Sequence, residues 1–352
     1  MSEILPTLTL IFSAAGLALL LSRQLNQPAI PLYIISGLLL TKFVTLNQVL
    51  ELSQVGIAFL VFIYGVKFST TKLKSVADRG ALASAFSIIG TTALSVPAAL
   101  LLGFQQVEII VFAAASALSS SLIGLELISD DLSKELVHSR IIESIQLIQD
   151  LVAVVLMLLL FSSTSGNSLI YGSLIFLMAF AFKRGFTYFA ESFRDSTEVI
   201  MVFSLGTLAL FVSTSIIFEI SPVVGAFAAG LALSRYPYSL EIVDTVGTLK
   251  DFFTVILFVS LGAIAATANL TVLLTAGVIT AFTMLVNPFI IYSSLRSTQE
   301  NSRISFFTGL GLDQVSEFAV VIAIQAYLLG QIPLNLLQSV VVATALTMTV
   351  SS

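Results

Sequence analysis

Ser139-Arg140-Ile141-Ile142-Glu143-Ser144-Ile145-Gln146-Leu147-Ile148-Gln149-Asp150-Leu151-Val152-Ala153-Val154-Val155-Leu156-Met157-Leu158-Leu159-Leu160 decides how the chain is read. Read as a helix, it places Asp150 eleven residues from Ser139, about 16 Å along the axis, so no loop lies within reach. An ionised carboxylate at mid-depth in hydrocarbon costs several kcal/mol, so it faces water or a partner and marks an ion or proton path. Glu143, Gln146 and Asp150 recur at i, i+3 and i+7, which puts them on one helical face. That stripe reads as a funnel from the cytoplasmic end toward the midplane.

Composition points the same way. Of 352 residues, 57% are hydrophobic and 10% charged, against about 25% charged in a soluble domain. Mean hydropathy is +1.05. The chain has no cysteine and a single histidine, which excludes disulfides, thiolate sites and His-rich metal clusters. That histidine, His138, falls in a connection beside Asp130, Asp131 and Arg140, as a solvated surface group or a pH sensor. Net charge is −5 with no basic run, so nucleic acid is not an expected partner. The first 21 residues do not read as a signal peptide, because Glu3 stands where a positive segment belongs.

Hydropathy punctuated by Gly, Pro and charge gives thirteen candidate spans, among them residues 109–127, Ser139–Leu160 and 304–329. Their connections sort by charge. One alternate set holds Arg23; Lys67, Lys72, Lys74 and Arg79; Lys134 and Arg140; Lys183, Arg184 and Arg194; Arg235 and Lys250; Arg296 and Arg303. The other holds only Lys42. By the positive-inside rule the N-terminus is outside and the C-terminus cytoplasmic, in a plasma membrane.

Spans 1–2 echo spans 8–9. Leu17-Ala18-Leu19-Leu20-Leu21-Ser22 parallels Leu208-Ala209-Leu210-Phe211-Val212-Ser213, Pro31 meets Pro222 at the same offset, and a small Gly-containing run follows each, Ser36-Gly37 and then Ala229-Gly230. Span 3 ends Phe62-Ile63-Tyr64-Gly65 and span 10 Phe258-Val259-Ser260-Leu261-Gly262. Two readings stand: generic Leu/Ala/Gly helices, or an internal repeat, which seven crossings apart would be inverted. Span 5 holds Ser116, Ser119, Ser120, Ser121 and Gly124; span 12 holds Gly309, Gly311, Asp313, Gln314, Ser316 and Glu317. Polar, interrupted segments at matching places are the sequence signature of a transporter binding site. Pro97 and Pro288 read as kinks.

Several motifs together resemble a Kef-type member of the monovalent cation:proton antiporter 2 family, over nearly the whole chain. Gln149-Asp150 resembles the Gln-Asp pair of that branch. Ala117-Leu118-Ser119-Ser120-Ser121 and Ser316-Glu317-Phe318-Ala319 resemble its two broken-helix segments, with Ser316 where Gly is usual. Gly225-Ala226-Phe227-Ala228-Ala229-Gly230 resembles its Gly-Ala-Phe-x-Ala-Gly stretch. The resemblance implies an all-α polytopic membrane protein of thirteen transmembrane helices, with two inverted six-helix repeats and crossed broken helices 5 and 12. It implies a homodimer in lipid. Residues 1–70 and 196–267 would form a scaffold, 80–162 and 270–352 an ion-transport core, and 165–195 a linker helix. Asn287-Pro288 stands where the family often has Lys or Arg, which favours electroneutral exchange. Kef-type relatives often continue into a cytoplasmic nucleotide-binding domain, so a regulatory domain or subunit beyond these residues is an expected partner.

The expected function is secondary antiport of K+ or Na+ against H+, with no cofactor and no enzyme activity. Asp150 would be the shared cation and proton site, with Gln149, Ser119 and Ser120 beside it. Ser121, Asp313, Ser316 and Glu317 would stabilise the crossover, with a direct role open for Asp313 and Glu317. The rivals are a gated K+ efflux channel of the same fold and, remotely, an intramembrane aspartyl protease using Asp150 and Asp313. The cysteine-free background offers a clean test of the funnel. Gln146→Cys is expected to react with a small thiol reagent added from the cytoplasmic side; inertness in every transport state would remove the funnel.

Overall fold

The computed structural model describes residues 4–25, 29–41, 46–68, 77–120, 137–161, 168–189, 197–235, 238–266 and 268–351. Ser121 therefore lies outside the described residues. The helices are α1 Ile4–Leu25, α2 Ala29–Leu40, α3 Leu46–Lys67, α4 Ala77–Leu101, α5 Gln106–Ala117, α6 Val137–Leu160 and α7 Ser168–Phe189. They continue with α8 Thr197–Ile217, α9 Pro222–Leu233, α10 Tyr238–Ala265 and α11 Leu270–Ser297. The last are α12 Ser302–Leu310, α13 Glu317–Leu328 and α14 Leu334–Val350. Among the described residues six helices are long and apolar enough to cross a membrane, and α10, bent by 52° between Gly247 and Phe252, makes up to seven. Five shorter apolar helices accompany them.

Several helices outrun the apolar windows. α3 begins at Leu46, whereas hydropathy in the sequence opens the third candidate span only at Val55. Its first half carries the exposed polar residues Glu51 and Gln54. Polar side chains at an interface leave the i→i−4 backbone ladder intact, so hydropathy ends before the helix does. α11 contains a π-helical turn, Phe282–Val286, just ahead of Pro288. Proline lacks an N–H and its ring crowds the preceding turn, and a π-turn is one way a helix absorbs such a residue.

The chain forms two compact units. One comprises residues 1–49, 73–153 and 258–352; the other, residues 50–72 and 154–257. The second unit packs Phe62, Ile63, Val66, Ile175, Phe211, Val224 and Val246 around α9. Helix α9 is buried along nearly its whole length. Its small residues let neighbouring backbones approach. A Cβ on Gly230 would strike the Phe62 carbonyl and stand 2.7 Å from Gly65 Cα. A Cβ on Gly65 would strike the Phe227 carbonyl and stand 2.9 Å from Gly230 Cα. Phe59 stacks on Phe253 with centroids 4.0 Å apart.

In the first unit Gly37 and Gly262 make the same kind of contact. A Cβ on Gly37 would strike the Val259 carbonyl, one on Gly262 the Ile34 carbonyl, and each would lie 2.9 Å from the other's Cα. In both pairs each glycine sits on the carbonyl three residues before its partner. Elsewhere in this unit Ala83 of α4, Ile142 and Ile145 of α6, Ile291 and Leu295 of α11 and Leu312 form one buried cluster, and α13 is buried over its first ten residues.

These close approaches predict a contrast. Gly37→Ala and Gly230→Ala should each cost about 1–3 kcal/mol by overpacking, read as a lower unfolding temperature in detergent. Gly206→Ala, which meets nothing within 4 Å, should leave it unchanged or raised.

Candidate functional site

Two helical segments break inside the first unit. α5 ends at Ala117, and Leu118 turns extended (φ −85°, ψ 126°). Ser116 Oγ donates back to the Phe112 carbonyl at 2.9 Å, a local bond that competes with the helix end. α12 ends at Leu310 with Gly311 as its cap, and a Cβ on Gly309 would lie 2.8 Å from the Pro288 carbonyl oxygen. The two extended stretches, β1 Ser119–Ser120 and β2 Gln314–Val315, pair antiparallel, with Ser119 opposite Val315 and Ser120 opposite Gln314. Ser316 N–H donates to the Leu118 carbonyl at 3.1 Å. Ser316 then caps α13, its Oγ accepting from Phe318 N–H at 3.1 Å. Glu317, 3% exposed, occupies the first position of α13, where an acid complements the positive helix end.

A chain of buried polar groups holds this crossing. Gln149 Oε1 accepts from both Ser119 N–H at 3.0 Å and Ser119 Oγ at 2.8 Å. Gln149 Nε2 points at Ser87 Oγ and the Ala117 carbonyl, each at 3.5 Å. Ser87 Oγ donates to Asn287 Oδ1 at 2.5 Å, and Thr91 Oγ1 donates to the same oxygen at 3.2 Å. Asn287 Nδ2 faces the Leu312 carbonyl at 3.5 Å. The directions are mutually consistent. The Ser87 proton goes to Asn287, so its lone pair faces the Gln149 amide, which leaves the Gln149 oxygen for Ser119. With two donors already on that oxygen and Nε2 a donor only, the amide is engaged at both ends.

Asp150, one residue on, is partly exposed. It makes no hydrogen bond among the described residues, and the Glu317 carboxylate is a like charge close enough to oppose its ionisation. On the same helix Glu143 is exposed and Gln146 partly so, while Ile142, Ile145, Gln149 and Ala153 are buried. The three stripe residues are thus at least partly exposed. Asp313 is engaged elsewhere, accepting from Ser351 Oγ at 2.6 Å.

A family model described as "Sodium/hydrogen exchanger, transmembrane" matches residues 9–352. The chain belongs to this family. The chain is 26% identical over 349 residues to K(+) efflux antiporter 5 of Arabidopsis thaliana, covering 92% of itself and 61% of that protein. It thus spans about three fifths of the length of that relative. It is 20% identical to the ammonium/H(+) antiporter subunit AmhT of Alkalihalophilus pseudofirmus, covering 88% of itself and 85% of that chain. The sodium proton antiporter MjNhaP1 from Methanocaldococcus jannaschii shares its fold. Its structure superposes with a TM-score of 0.71 at 16% identity, covering 99% of this chain and 94% of that one.

The crossing thus brings Ser119, Ser120, Gln149, Ser316 and Glu317 together. Sequence reading passed over Ser87 and Thr91 and noted Asn287 only as a departure from a basic residue. A signal existed in α4: Ser84, Ser87, Thr91 and Ser95 recur at i, i+3, i+7 and i+11, a hydroxyl stripe on one face. Asn287→Leu would leave two buried hydroxyls without their acceptor, an expected loss of about 1–3 kcal/mol. Thermal unfolding should show it clearly beside Thr349→Ala, whose exposed hydroxyl bonds only the Ala345 carbonyl of its own helix.

Proposed function

We propose that this chain is the membrane part of a secondary antiporter that exchanges a monovalent cation, K+ or Na+, for H+, with Asp150 as the shared site. One observation carries the reading: the Asp150 carboxylate, partly exposed on α6, has no hydrogen-bond donor among the described residues, while its neighbour Gln149 is tied into the crossing. Such a carboxylate accepts either a proton or a cation. Protonated, it crosses neutral; ionised, it crosses only with a bound cation, because bare charge in hydrocarbon is prohibitive. That exclusion couples the two fluxes. Ser119 and Ser120 are the neighbouring hydroxyl ligands, and backbone near Ser316 supplies carbonyls. Gln149 acts by holding Ser119 in place, and Ser121, Asp313, Ser316 and Glu317 shape the crossover. Glu143 and Gln146 line the cytoplasmic funnel.

The same reading takes the fold as thirteen spans in two inverted repeats. The glycine pairs support it: Gly37 with Gly262 and Gly65 with Gly230 meet with the same carbonyl offset on both sides, as counterparts in two related halves would. Residues 80–162 and 270–352 would move as the transport core against a scaffold of 1–70 and 196–267, in a homodimer of the plasma membrane with its N-terminus outside. The neutral Asn287 amide supports one-for-one, electroneutral exchange. Names of relatives that carry K+ and ammonium favour a weakly hydrated cation over Na+.

In proteoliposomes loaded with a pH-sensitive dye, adding K+, Na+ or ammonium should drive proton movement in the native protein. Asp150→Asn should reduce it to the level of protein-free vesicles while leaving elution and unfolding temperature unchanged. Exchange that survives this substitution removes Asp150 from the site.

A further inference from the structure

In the second unit Phe186 of α7, Phe203 and Ser204 of α8, and Tyr238 and Glu241 of α10 line one pocket. Tyr238 and Glu241 stand at i and i+3, on one face of their helix. The Phe186 ring lies 5.5 Å from that of Phe203 with planes 19° apart, and 5.9 Å from that of Tyr238 with planes 78° apart. Aromatic surface in two directions therefore walls the space. The pocket leaves about 10 Å³ for the centre of a water-sized body, room for one such body.

Ser204 is the member that calls for an occupant. It is 1% exposed, and its Oγ has no hydrogen-bond partner among the described residues. Thr207, Thr214 and Ser215 on the same helix each donate to the carbonyl four residues back, at 2.9, 2.7 and 3.0 Å. Ser204 forgoes that local bond and stands in the pocket wall instead. A buried hydroxyl left in this way carries a penalty, which a bound donor lifts.

The chemistry of the walls selects that donor. Ring faces carry negative potential and attract a cation within about 6 Å, and Glu241 adds a carboxylate. A water molecule would satisfy Ser204 but makes no use of that negative potential. A metal ion gives up its hydration shell to a set of several oxygens, whereas here aromatic rings occupy most of the wall. An ammonium ion is close to water in size, is positive, and carries N–H donors on every side.

We propose that Phe186, Phe203, Ser204, Tyr238 and Glu241 form a binding site for one ammonium ion, separate from Asp150. Ser204 Oγ and the Glu241 carboxylate accept its N–H groups, and the rings hold its charge. Binding there does not rest on the antiporter reading.

The unfolding temperature of the purified Asp150→Asn chain in detergent tests it, with sodium chloride replaced stepwise by ammonium chloride at constant ionic strength and neutral pH. A saturable rise of about 2 °C or more is expected, and potassium chloride should give none. Adding Glu241→Gln should abolish the rise. No rise, a rise that potassium reproduces, or one that Glu241→Gln leaves intact overturns the proposal. Should Glu241→Gln fail to fold, Ser204→Val in the same background decides: loss of the rise supports the site, and an unchanged rise overturns it. Failure of the Asp150 assignment is distinguishable, since it appears as retained exchange in the single variant.

Discussion

A backbone amide freed inside hydrocarbon has no water to turn to, so every break in a membrane helix must be satisfied from within the protein. The crossing of Leu118–Ser120 with Gln314–Ser316 meets that demand residue by residue. The two extended stretches pair with each other, Leu118 accepts from Ser316, Ser119 N–H reaches Gln149, and Val315 N–H reaches Thr347 Oγ1 at 3.1 Å. Thr283 in the π-turn of α11 donates to Ile279 at 3.0 Å and faces the Ala115 carbonyl at 3.4 Å. Polar side chains buried in apolar surroundings are costly unless paired; here they are the partners that make two broken helices tolerable.

The same pairing sorts the residues around Asp150 into those that build and those that remain available. Gln149 and Asp150 are adjacent, but a helix turns about 100° per residue, so one faces the crossing and the other is partly exposed. The amide spends both ends on protein partners, and the carboxylate has none among the described residues. Rigidity on one side and chemical availability on the other come from one helical step. Ser119 stands at the junction, donating to Gln149 while its oxygen lone pairs remain.

Close helix packing supplies the frame. Without a hydrophobic drive between helices in lipid, small residues that let backbones touch carry the association. Gly37 with Gly262 and Gly65 with Gly230 do so in separate units with one geometry. Gln338 Nε2 adds a bond to the Ile264 carbonyl at 2.9 Å, near the C-terminal end of α10, where carbonyls lack helical partners.

Membrane class, the shared exposure of Glu143, Gln146 and Asp150 on α6 and the interrupted character of the segments around Ser119 and Ser316 were legible in the sequence. Each follows from local periodicity or from the cost of charge in hydrocarbon, and both are properties of a segment taken alone. Which polar groups meet was not legible. Ser87 and Asn287 lie 200 residues apart, and Asp313 and Ser351 lie 38 apart; nothing local specifies either partner. That Gln149 builds the crossing while Asp150 stays available was decided only when distant segments packed, because hydrogen bonds are directional and short while sequence records only composition and spacing.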